Sequence, residues 1–148
     1  MKINGLKEKG LLIQSKSNTQ EIEGSMAIAE RFLEKAKGNQ KIEFFDIAFS
    51  LAYQSMFHVA RALLFKNNLK ERSHGALITA LKELYSREPK VIEILEIMDS
   101  YRRIRHGIQY SGTGCLKEDA EEAIKDAEKF IEAADNILTK QKNEKAQK

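Results

Sequence analysis

Apolar residues recur every three or four positions along nearly the whole chain, and no stretch alternates apolar and polar long enough to predict a strand. The spacing predicts a short leading helix within 3–14, interrupted by Gly5 and Gly10. Asn18 or Thr19 can cap a second helix over 19–37, with Ile22, Met26, Ala29, Phe32, Leu33 and Ala36 on one stripe. Gly38-Asn39 is its expected stop. The segment 41–67 is apolar on most sides, and only Asp46, Ser50, Gln54 and Arg61 form a narrow polar stripe. Such a helix belongs in the middle of a bundle. Asn67-Asn68 should stop it. Ser73 can cap a helix over 73–87, and Pro89 opens another over 89–109, where its missing N–H does no harm. Ser111-Gly112-Thr113-Gly114 breaks the chain before the last helix, 117–140. The pattern predicts an all-α fold, an antiparallel up-and-down bundle of four to five helices. It divides into an extension over 1–17, a bundle over 18–140, and a loose basic tail over 141–148.

The helix over 89–109 ends in Tyr101-Arg102-Arg103-Ile104-Arg105-His106-Gly107-Ile108-Gln109-Tyr110. At about 100° per residue, Ile94, Ile97, Tyr101, Ile104 and Ile108 share an apolar stripe. Arg102, Arg105, His106 and Gln109 fan out along its flank, and Arg103 points away. Arg102 and His106 are one turn apart and can meet. Arg105 lies almost inside the stripe, where an unpaired guanidinium is costly to bury. A fixed cation beside a titratable imidazole suits binding or cleaving a phosphodiester. The competing structural reading is a basic helix end, favoured by the helix dipole, pairing with the acidic last helix.

Composition sharpens this picture only in places. The chain has 148 residues, 42% of them hydrophobic, enough for one domain with a real core. A net charge of +3 does not by itself diagnose nucleic acid. Its distribution is more informative: 101–106 is basic, whereas 117–135 carries eight carboxylates against three lysines. The single Cys115 excludes an internal disulfide and any multi-cysteine metal site. No signal peptide and no membrane span are expected, because Leu11-Leu12-Ile13 is too short an apolar core and no run reaches spanning length. The expected location is the cytoplasm.

The remaining polar residues read more plainly. His58 falls in the apolar arc of the central helix, and is expected to be buried and hydrogen-bonded. His74 follows the capping Ser73 and is expected to be a solvated first-turn residue. Three scattered histidines give no zinc spacing, so no metal and no cofactor are expected. There is no phosphate-cradling glycine loop and no nucleophile elbow.

Three segments together resemble the HEPN family (higher eukaryotes and prokaryotes nucleotide-binding domain). They are the central stretch Ala52-Tyr53-Gln54-Ser55-Met56-Phe57-His58-Val59-Ala60-Arg61-Ala62-Leu63-Leu64, the turn Glu71-Arg72-Ser73-His74, and the late motif Tyr101–Tyr110. The likeness runs from about residue 20 to 138. It implies a helical bundle that homodimerises, with the late motif of both copies lining one cleft. Many members are metal-independent RNases acting as toxins or in defence, often paired with a small nucleotidyltransferase antitoxin. Others bind nucleotides, RNA or a partner without catalysis.

The family's active pattern is an Arg, four to six residues, then His, often with a nearby Tyr. Here Arg102 and His106 are separated by three residues. Counted from Arg105 the His position is Tyr110, and counted from Arg103 with Tyr110 as the accompanying Tyr it is Ile108. A phenol with a pKa near 10 is a poor general base at neutral pH. The expected role is therefore RNA or nucleotide binding through Arg102, Arg105, His106 and Tyr110, with a nucleotidyltransferase partner and Tyr110 as a possible acceptor of a nucleotidyl group. The alternatives are an endoribonuclease toxin using Arg102, Arg105 and His106, or a structural helical module.

Overall fold

The computed structural model describes residues 2–110 and 114–146, apart from the side chains of 109, 110 and 141–146. Six helices and one two-stranded sheet are present among these residues: α1 (Lys2–Glu8), β1 (Leu12–Gln14), α2 (Thr19–Lys41), α3 (Phe45–Lys66), β2 (Leu69–Glu71), α4 (His74–Leu84), α5 (Pro89–Tyr110) and α6 (Lys117–Ala146). The all-α bundle is as expected, and α3 is its centre. Ala48, Phe49, Ala52, Tyr53, Met56, Val59, Ala60, Leu63 and Leu64 of α3 are all buried. α2 and α6 pack on one side of it, and α4 and α5 on another.

The caps behave as the side chains dictate. Asn18 Oδ1 accepts from Glu21 N at 2.8 Å to open α2. Ser73 Oγ accepts from Ala76 N at 3.0 Å to open α4. Pro89 is the first residue of α5.

Three expectations are corrected. The first concerns strands. β1 and β2 pair antiparallel, with Leu12 opposite Glu71 and Gln14 opposite Leu69. Three-residue strands are too short to show an alternating period, so the leading segment read as helix throughout. Ser15 N and Ser17 N donate to the main-chain oxygen and the Oδ1 of Asn68, at 2.9 and 3.2 Å, and extend the clamp. The second concerns the end of α2, which runs through Gly38 to Lys41. Asn39 Nδ2 bonds back to Lys35 O at 2.8 Å within the helix, and Glu43 (φ 67°) takes the left-handed turn instead. The third concerns α5. Val91, Ile94, Leu95 and Met98 form its buried face, whereas Ile104 is 41% exposed. The inward face therefore runs a little to one side of the stripe drawn from isoleucines, toward Arg102 and Arg105.

α1 joins the bundle through buried Ile3, whose N–H donates to Glu83 Oε2 of α4 at 3.0 Å. α6 extends to Ala146. The side chains from 141 onward, and the Ser111–Thr113 breaker, lie outside the described residues.

Candidate functional site

The buried face of α5 sets the site. Once Val91, Leu95 and Met98 are seated against the bundle, helical spacing carries the same face on to Arg102 and Arg105. Tyr101 ties this end of the helix to α6. Its hydroxyl donates to Asp126 Oδ2 at 2.6 Å, and its ring meets Phe49 edge-on with centroids 5.1 Å apart. Burial and the Asp126 hydrogen bond push the Tyr101 phenol far above its ordinary range.

The arginines separate by partner. Arg102 Nη2 lies 3.4 Å from Asp99 Oδ1, and Arg103 Nη1 lies 3.0 Å from Asp99 Oδ2. Their acid is thus on α5 itself, not on α6, and the expected pairing with the acidic helix gives way to Tyr101–Asp126. Arg105 has no carboxylate partner among the described residues. Its guanidinium carbon sits 5.3 Å from the Tyr53 ring centroid, and its buried Nε has no hydrogen-bond partner among the described residues. The cost expected for a cation near the apolar stripe is therefore met only in part, by the ring face. His106 is exposed on the next residue. Tyr110 ends α5, and its side chain lies outside the described residues.

Facing Arg105 are residues that the spacing analysis left out of the site. Tyr53, only 1% exposed, has its hydroxyl 2.7 Å from His74 Nδ1. The Phe57 ring stacks on the His74 ring at 4.3 Å and 18°. Tyr53 and Phe57 are one turn apart on α3, and His74 is the first residue of α4. The β1–β2 clamp fixes the chain between those helices and so sets where His74 starts. His74 is therefore half-buried and hydrogen-bonded, not the solvated first-turn residue expected. The error has a physical origin: a cap predicts where a helix starts, but not what its first side chain meets across the bundle. The available signal was the likeness of Glu71-Arg72-Ser73-His74 to the family's turn.

Two arginines and one carboxylate, Asp99, set the electrostatics of the cluster. Burial and then the charges of Arg105 and Arg102 lower the His74 pKa, favouring the neutral imidazole at pH 7. Burial pushes the Tyr53 phenol up to about 12, against the opposing pull of Arg105 and Arg102. Tyr53 thus keeps its proton. Asp99 already engages Arg102, whereas Arg105 and a neutral His74 offer donors, an arrangement suited to an anion.

His58 differs from expectation too. It is half-buried, stacks on Phe32 at 5.5 Å, and has a buried Nδ1 with no hydrogen-bond partner among the described residues. Nearby, Arg61 Nε lies 2.7 Å from Glu71 Oε1, close as an ion pair although not aligned as a hydrogen bond. No group of three His, Cys, Asp or Glu among the described residues could hold a metal. No helix among them is long and apolar enough to cross a membrane.

The model of the HEPN domain family matches residues 22–137 of the chain. The chain belongs to the HEPN family. Two similar proteins from Methanocaldococcus jannaschii are named "Putative toxin MJ0605" and "Putative toxin MJ0142". The first is 29% identical over 125 residues, 84% of this chain and 93% of its own length. The second is 29% identical over 105 residues, 70% of this chain and 71% of its own. "UPF0332 protein glr0978" from Gloeobacter violaceus is 29% identical over 123 residues, 81% of this chain and 98% of its own. The HEPN match takes in α3, α4 and α5, and so every residue of the Tyr53–His74–Arg105 cluster.

Proposed function

We propose that this HEPN protein binds RNA or nucleotide phosphate through the end of α5, with Arg102, Arg105 and His106 as contacts, and serves as the toxin-like member of a pair with a nucleotidyltransferase. The observation that carries this is Arg105: a guanidinium partly out of water, beside a ring face, with no carboxylate among the described residues to neutralise it. The names of the archaeal relatives support the toxin setting. A homodimer fits the exposed Ile42, Phe44, Ile47 and Leu116. They gather at the bundle end where Cys115 Sγ contacts Phe45 O at 3.6 Å and Gln40 Nε2 donates to Lys117 O at 3.4 Å. Tyr110 is the acceptor for the partner: its hydroxyl oxygen attacks the α-phosphate of a nucleoside triphosphate that the partner binds, pyrophosphate leaves, and the phenolic proton is lost to solvent.

The test is anisotropy of a short labelled single-stranded oligoribonucleotide across a salt series. Binding should weaken linearly on a log–log plot, with a slope of about −0.7 for each phosphate neutralised. Arg105→Ala should weaken it tenfold or more at low salt. A flat salt response, or an unchanged affinity in Arg105→Ala, sinks the assignment. Incubation with RNA in EDTA separates the catalytic alternative, which the exposed His106 beside Arg105 keeps in view. Cleavage lost in both His106→Ala and Arg105→Ala would make the protein a metal-independent endoribonuclease.

A further inference from the structure

We propose that His74, held by Tyr53, and Arg105 form a seat for one phosphate group, joining the start of α4 to the end of α5. This rests on reading the α5 end as a phosphate-binding surface, and adds two residues of other helices to it.

The argument starts from what the His74 ring has left to offer. Its Nδ1 is taken by the Tyr53 hydroxyl at 2.7 Å. Its face is covered by Phe57 at 4.3 Å, which fixes the ring plane. Nε2 is then the one ring nitrogen remaining for a ligand. Tyr53, buried and protonated, is fitted to donate to Nδ1, and a neutral imidazole that accepts there carries its hydrogen on Nε2. His74 thus presents an N–H. It does so in the first turn of α4, where backbone amides add positive potential.

The second donor is Arg105. Its guanidinium rests over the same Tyr53 ring whose hydroxyl holds His74, so one tyrosine positions both groups. Arg105 and Arg102 lie close enough to His74 to act on its charge state. Arg102 is engaged by Asp99 at 3.4 Å, whereas Arg105 Nε is buried with no hydrogen-bond partner and no acid beside it among the described residues. Such a guanidinium is stabilised most by an anion of forked geometry, and phosphate has it. Tyr53 is a positioning residue here, while His74 and Arg105 touch the ligand.

The experiment observes the ring nitrogens and carbons of isotopically labelled histidine by NMR. Inorganic phosphate is added first, then a short oligouridylate. His74 is assigned by its loss in His74→Gln. In the unliganded protein its ring nitrogens should report the Nε2–H tautomer. Phosphate should shift its signals saturably, and Arg105→Gln should abolish that shift. Tyr53→Phe keeps the ring beneath Arg105. It should leave the protein folded, mix the tautomers, and weaken phosphate binding roughly fivefold, as expected for one lost orienting hydrogen bond. A phosphate response at His74 without oligonucleotide binding would uphold the seat and sink the RNA function. Salt-sensitive oligonucleotide binding that leaves His74 silent would uphold that function and overturn the seat. Silence in both overturns both.

Discussion

Tyr101 shows how much one hydroxyl can hold in place. Asp126 is 7% exposed, and its described partner is the Tyr101 hydroxyl at 2.6 Å. A buried carboxylate stripped of its donor keeps the desolvation cost and loses the compensation. Tyr101→Phe should therefore destabilise the protein by about 1–3 kcal/mol, the range for an orphaned buried polar partner. Urea unfolding measures it. Double substitution with Asp126→Asn should recover part of the loss, because the neutral amide is cheaper to leave unpaired. An additive double mutant would show that the two residues are not coupled. The same link anchors α5 just before Arg102 and Arg105, so Tyr101→Phe should also loosen the site without removing any group from it.

At the scale of elements, the α2–α3 pair is built from small residues. Ala29, Ala36, Ala48, Ala52 and Ser55 are all fully buried. Ser55 Oγ donates to Ala29 O, and Ser25 Oγ to His58 O, both at 2.7 Å. Side-chain hydroxyls reach a neighbouring helix backbone at that distance only where the helices approach closely. Ala29→Leu should then cost about 1–3 kcal/mol by overpacking, while Glu30→Leu on the exposed face should stay within about 0.5 kcal/mol. Comparing their urea midpoints decides it, and equal midpoints would refute close packing there. These helices were legible in the sequence because long amphipathic stripes and caps such as Asn18 and Ser73 act locally. The β1–β2 pair was not, since Leu12–Gln14 and Leu69–Glu71 define each other only once folded. The end of α2 was misplaced for a related reason: Gly38 is merely permitted to break a helix, and the turn at Glu43 is set by the packing of α3. Within the site, Arg105's awkward burial was legible from its angle to the apolar stripe. The Tyr53–His74 bond was not, because it joins residues 21 positions apart on different helices.

For the whole molecule, the titrating groups predict a bounded window of stability. His58 and His74 both have pKa values lowered from 6.5, His58 by burial and then Arg61, His74 by burial and then Arg105 and Arg102. The unfolded chain then binds protons first as pH falls below 6.5, so the stability these groups contribute is present above that pH and is lost on acidification. The alkaline side has the opposite sign. Tyr53 is raised by burial from 10.0 to about 12, Cys115 by burial and then Asp119 and Asp46 from 9.0 to about 11, and Tyr85 and Tyr101 are raised as well. Each keeps its proton longer when folded. Its contribution is complete below the unfolded pKa and is lost as pH rises through the folded one. The thermal midpoint should therefore be flat from about pH 7 to 9, and fall on both sides. His74→Gln should flatten part of the acid limb, because it removes one of the two imidazoles whose pKa is lowered. Tyr53→Phe should weaken the alkaline fall above pH 10 by removing a buried phenol whose pKa is raised to about 12. A midpoint that rises between pH 7 and 5 would contradict the assignment of neutral, partly buried imidazoles. It would also remove the physical ground for His74 as a donor at the end of α5.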